Sequence, residues 1–290
     1  LRQALRLDRR LARAEYTLGR IAWLAGDVAR ATAHAERAVR LDSRSAMAWH
    51  ALGLCYRRQQ RPDDAIAAFR AALAREPDHP PALLALAEVL IERQQTEAAR
   101  DCLERLVARQ PDHAEACALL GNLYLWRSAE PSAPARAEAL LLRAARAGFR
   151  PEQVYLDLGQ LYERRGDLPR AIAMLRRAIA ADPRDERPYF VLARVYRRSG
   201  NPTAAATTEA RFRRISRLHS EMIRLEARVS THPDDRAAQL RLARVYAELG
   251  LADAALGQYD AYLRRWPDDR SAAQERARRY GRRGGRPPSP

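Results

Sequence analysis

Lysine is absent from this 290-residue chain, so all 52 of its basic side chains are arginine. Asparagine occurs only at Asn122 and Asn201. Beside so much alanine, that bias matches GC-rich coding, and the net charge of +16 records residue usage in part rather than demand from an anionic partner alone. No apolar run approaches the roughly 18 residues a membrane helix needs. The three cysteines, Cys55, Cys102 and Cys117, are an odd number without framework spacing, and each falls inside a helical pattern. They are expected to be buried free thiols. No G-x-S-x-G, phosphate-binding glycine loop or H-E-x-x-H is found, so no catalysis is expected. His113 and Cys117, with Cys102 before them, make three candidate zinc ligands without a fourth; no metal and no cofactor is expected.

What the chain does have is repetition. AREPDH at residues 74–79 returns as ARQPDH at 108–113, a step of 34. Leu-Gly or Leu-Ala pairs recur at Leu18, Leu52, Leu86, Leu120, Leu158, Leu192 and Leu242. Four residues after each leucine stands Ala22, Tyr56, Leu90, Tyr124, Tyr162, Tyr196 or Tyr246. With the pair as positions 7 and 8 of a repeat, positions 4, 7, 8 and 11 share one helical face, which defines helix A. A second apolar set at positions 20, 24 and 27, such as Ala65, Phe69 and Ala72, has gaps of four and three and defines helix B. Gly26, Gly166, Gly200 and Gly250 at position 15 fit a left-handed helix end between the two. Pro77, Pro111, Pro183 and Pro267 at position 32 end helix B, so the recurring hexapeptide is a helix stop and a re-entry turn, with His79 and His113 as loop residues.

The large residue, Leu-Gly, tyrosine, small alanine and proline at this spacing resemble the tetratricopeptide repeat (TPR) family. The resemblance covers repeats at 12–45, 46–79, 80–113, 114–151, 152–185, 186–235 and 236–269. It implies an all-α, right-handed solenoid of about seven helix-turn-helix repeats with partial repeats at both ends, and helix A lining a concave side. Residues 1–11 are expected to end a preceding repeat helix, residues 270–281 to form a capping helix, and residues 282–290 to be a disordered tail or linker. Two repeats break the pattern. SAEPSAPARAEA (128–139) adds about four residues to the fourth repeat and is expected to protrude as a loop, since Pro131 and Pro134 exclude a continuous helix. Residues 203–230 lack proline and glycine and carry Phe212, Ile215, Leu218, Met222, Leu225 and Val229 at helical spacing, which predicts one extended helix B.

In TPR proteins positions 2, 5, 9, 12 and 13 of helix A commonly face the groove. That resemblance assigns partner-binding roles to Tyr16, Arg20, Trp23, His50, Arg57, Arg58, Asn122, Trp126, Arg187, Phe190, Arg194, Arg197, Arg198 and Arg244. Arginine forks beside rings suit carboxylates with apolar neighbours. The family's chaperone-tail clamp uses a lysine this chain lacks, and Glu88 and Glu92 interrupt the basic surface. The expected function is a protein-interaction scaffold binding an acidic peptide or partner helix, with no membrane span. The alternatives are a nucleic-acid adaptor acting through the basic surface and RRGGR tail, which is not the favoured partner, and the targeting domain of a larger enzyme such as a transferase. A cytoplasmic location is expected; the chain opens on Leu1, so a removed upstream segment and a periplasmic location are the alternative.

Overall fold

The computed structural model describes residues 2–281, with side chains described from Arg10 onward. The expected tail at 282–290 lies outside the described residues. Among the described residues every regular element is an α-helix. Helix A and helix B of successive repeats are α1 (Arg2–Leu24) and α2 (Val28–Leu41), α3 (Ala46–Arg58) and α4 (Pro62–Arg75), then α5 (Pro80–Glu92) and α6 (Thr96–Arg109). These are followed by α7 (Ala114–Arg127) and α8 (Ala133–Arg146), then α9 (Pro151–Arg164) and α10 (Leu168–Ala181). The last pairs are α11 (Glu186–Arg198) with α12 (Pro202–Thr231) and α13 (Arg236–Glu248) with α14 (Ala252–Arg265), before a final α15 (Arg270–Tyr280). The chain is a helical solenoid of repeats, and it divides into two compact bodies, residues 1–161 and 162–290.

The A-to-B turn is fixed by one left-handed residue at position 15 in every repeat but the fourth, where Ser128 is extended. Gly26, Gly166, Gly200 and Gly250 adopt φ between 73° and 79°. Gln60 and Gln94 take the same place with φ of 59° and 60°, at some steric cost, because the packing around them demands the turn. Glycine at position 8 has a different cause. A Cβ on Gly53 would lie 2.4–2.9 Å from ring carbons of the fully buried Phe69 at position 24, so the small residue lets helix A close on helix B.

Repeats are joined by a recurring polar bond as well as by apolar packing. The phenol at position 11 meets a side chain on the preceding helix B, twenty residues earlier: Tyr56 donates to Glu36 at 3.3 Å and Tyr246 to Glu226 at 2.8 Å. Tyr124 donates to Glu104, whereas Tyr196 accepts from Arg176 at 2.8 Å. The leucine at position 7 is at most 4% exposed in repeats two to seven, where the preceding helix B covers it, while Leu18 in the first repeat is 46% exposed.

Two expectations need correction. Residues 2–24 form one unbroken helix rather than the end of one helix and the start of another, since no proline or glycine precedes Gly19 to stop it. The insertion in the fourth repeat is shorter as a loop than expected: α8 begins at Ala133, with Pro134 in the first turn, where its missing N–H leaves no partner unsatisfied. His79 and His113 lie in the loops as expected, each at the N-cap of the following helix; His113 Nδ1 accepts from the Ala116 N–H at 3.3 Å. The long helix of the sixth repeat is present as α12, 30 residues long. Its first half buries Ala205 and Thr208, and further along Leu218 packs with Val245 and Leu249 of the next repeat beside Ile215, Met222 and Leu225. The three cysteines are buried and free.

Candidate functional site

The helix A register brings Tyr16, Arg20, Trp23 and His50 together. They border a cleft of about 190 Å³ between α1 and α3, with Gly19, Ala31, Ala35, Ala51, Leu54 and Cys55 completing its walls. Tyr16, Arg20 and Trp23 sit at i, i+4 and i+7 and so share a face of α1. Beneath them Ala31 and Ala35 of α2 are nearly fully buried, and these small residues let the helices approach and leave a hollow. His50 forms part of one wall, its ring 5.8 Å from those of Phe69 and His79. Burial, with the charge of His79 adding to it, lowers the His50 pKa to about 4, so the imidazole is neutral at pH 7.

The arginines of the face divide into two groups. Arg57 is held by Glu88 and, at 2.7 Å, by Glu92; burial opposes its charge, but those bonds prevail and raise its pKa. Arg194 makes two bonds of 2.6–2.7 Å to the carboxylate of the buried Glu163, and Arg198 reaches the same residue's carbonyl at 3.1 Å. Arg197 pairs with Glu209, Arg187 with Asp185 at 2.7 Å, and Arg244 with Glu275 at 2.8 Å. Asn122 donates to Asp157 at 3.2 Å. These groups act first as ties, most of them between neighbouring repeats. Arg20 and Arg58 differ: among the described residues neither makes an ion pair, and both are exposed. The Arg58 guanidinium lies 5.1 Å from the Trp23 ring centre, and that of Arg20 lies 6.0 Å from Tyr16. Trp126 and Phe190, 47% and 51% exposed, lie apart from this cleft on their own repeats.

Sequence reasoning passed over Leu54, although it occupies position 9, the register of Arg20, Asn122, Arg194 and Arg244. It also missed that Arg57 and Glu88, Glu163 and Arg194, and Arg244 and Glu275 are each 31 residues apart, a spacing visible in the sequence.

Two tetratricopeptide repeat models match the chain, one over residues 56–123 and the other over 16–80, 132–186, 156–218 and 222–270. The chain belongs to the tetratricopeptide repeat family. No curated protein matches this TPR chain in sequence. Among solved structures it is similar to Pseudomonas aeruginosa pilF, with 20% identity and a TM-score of 0.59 over 72% of this chain and 93% of that one. It is similar to a TPR protein from Parabacteroides merdae ATCC 43184, with 17% identity and a TM-score of 0.55 over 93% and 98% of the two chains. It also resembles YrrB, described as a TPR protein with an unusual peptide-binding site, with 15% identity and a TM-score of 0.56 over 62% and 91%. At these identities the likeness is one of fold. The TPR fold suggests a protein-protein interaction scaffold, and no described helix is long and apolar enough to cross a membrane.

Proposed function

We propose that this TPR chain is a non-catalytic scaffold that holds an extended, acidic peptide or a partner helix against the helix A face. The observation that carries this reading is the α1/α3 cleft: an apolar hollow of side-chain size bordered by Arg20, with Arg58 beside the shared Trp23 in the adjoining recess, two guanidiniums that no described carboxylate of the chain neutralises. A carboxylate brought by a partner finds forked donors there at little cost in reorganisation. YrrB is described as peptide-binding, which supports the same use of the fold here. Arg194, Arg197 and Arg198 are already engaged within the chain, so their contribution to an acidic partner is secondary to that of Arg20 and Arg58.

The test is selection of random displayed peptides on the immobilised chain, followed by calorimetry of the selected sequences on wild type and on Trp23→Ala and Trp126→Ala. Enrichment of acidic sequences whose affinity falls at least tenfold in one of these variants is expected. Selection that yields no specific binder, or binders indifferent to both changes, rejects the reading.

A further inference from the structure

We infer that the α1/α3 cleft is selective for one peptide chemistry: an internal segment with a large apolar side chain flanked on both sides by acidic ones. This rests on the peptide-binding reading above and names the ligand of that site.

The apolar requirement follows from the walls. Gly19, Ala31, Ala35, Ala51, Leu54 and Cys55 present carbon, sulfur and helix backbone whose amides are already bonded, and the volume of about 190 Å³ suits one leucine or phenylalanine side chain rather than a whole residue run. His50, the one imidazole in the wall, is neutral at pH 7, so it offers no charge to a buried ion. Tyr16 and Trp23 stand seven residues apart on α1, roughly 10 Å along its axis, with Arg20 between them on the same face.

The acidic requirement follows from the two arginines. Arg57, adjacent to Arg58 in sequence, is neutralised by Glu88 and Glu92, whereas Arg58 is parked over Trp23 and Arg20 beside Tyr16. Ring contact restrains each guanidinium without consuming its hydrogen-bond donors, so both forks remain available to oxygen pairs. They come from different helices and sit against different rings, so one carboxylate serves one of them. Two carboxylates separated by the apolar residue serve both.

The segment is internal rather than a chain end because the hollow is not closed. Past Trp23 and Leu54, which it shares, the surface opens into a wider polar recess of about 580 Å³ bordered by Arg57, Arg58, Gln60, Pro62, Arg93 and Glu92, the last tied to Arg57. A bound chain has room to continue there.

The probe is a fluorescein-labelled heptapeptide, acetyl-Ser-Gly-Asp-Phe-Asp-Gly-Ser-amide, titrated by anisotropy against the full chain at low salt. Versions carrying Asn-Phe-Asn, Asp-Ala-Asp, or a free carboxylate directly after Asp-Phe are run beside it. The expected result is that the Asn and Ala versions bind at least tenfold more weakly and that the free-terminus version binds no more tightly. Arg20→Glu with Arg58→Glu is expected to lose at least tenfold in affinity with an unchanged melting temperature, while Ile223→Ala, exposed on α12, binds like wild type. Equal binding of the Asn version, or wild-type binding by the double Arg variant, overturns the inference. Tighter binding of the free-terminus version overturns the internal-segment assignment. Failure of the heptapeptide while display-selected acidic peptides still bind in a Trp126-sensitive way overturns this inference and leaves the general scaffold reading standing. If neither class binds, both fall.

Discussion

Gly53 faces the flat ring of Phe69, a fully buried residue that cannot step aside, across a gap that leaves no room for a methyl group. Gly53→Ala is therefore expected to destabilise the chain by about 1–3 kcal/mol, the usual cost of overpacking, measured by urea unfolding. Such a change on an exposed helix would instead be neutral or favourable. At His50 the relevant variable is pH. Its folded pKa of about 4 lies below the ordinary 6.5, so between those values the unfolded chain holds more protons than the folded one. Stability contributed here is full above pH 6.5 and falls as pH drops toward 4, by up to about 3 kcal/mol. His50→Gln should flatten that part of the stability profile. An unchanged slope between pH 6.5 and 4 in the variant would mean that burial of this ring is not its source.

Between helices, the same residue type does two jobs, and substitution separates them. Arg194 holds Glu163, whose side chain is only 5% exposed, so Arg194→Glu sets two carboxylates against each other in a shielded place. A loss of about 2 kcal/mol is expected, below the figure for a fully buried pair because the arginine itself is half exposed. Arg20→Glu and Arg58→Glu should leave thermal melting within about 1 °C, since neither removes an ion pair among the described residues. The 30-residue α12 serves two repeats, packing Ala205 and Thr208 in its own and Leu218 against Val245 and Leu249 of the next. Leu218→Ala should cost about 2–3 kcal/mol. Hydrogen exchange should locate the loosening in α13 rather than in the first turns of α12.

At the scale of the molecule, contacts run mainly between helices adjacent in sequence, together with pairs such as α1 with α3. Damage should therefore stay local. Leu242→Asp, which buries a charge at a site 3% exposed, is expected to raise exchange in α13 and α14 while amides of α3 and α4 exchange as before. This economy also explains what could be read from the residues alone. Positions such as Leu52, Phe69 and Ala72 repeat because every repeat must bury the same spots, so the helices and their turns were legible. The cleft was legible only in part: Tyr16, Arg20, Trp23 and His50 follow from register, but Leu54 and the alanine walls look like ordinary core. Nor does register alone distinguish Arg57 from Arg58, because the difference is made by Glu88 and Glu92 one repeat later.

The tyrosine bonds between repeats have a consequence for modularity. Tyr56, Tyr124 and Tyr246 donate a hydrogen bond to a carboxylate, while Tyr196 accepts one from a guanidinium. A phenol does either without changing shape. A cassette ending in glutamate and one ending in arginine at this position are thus compatible with the same incoming tyrosine, so the joint is a universal coupling. Segments could be shuffled, duplicated or spliced with this polar joint still closed, and a lineage that lengthens or shortens the array by whole repeats need not reinvent the hinge each time.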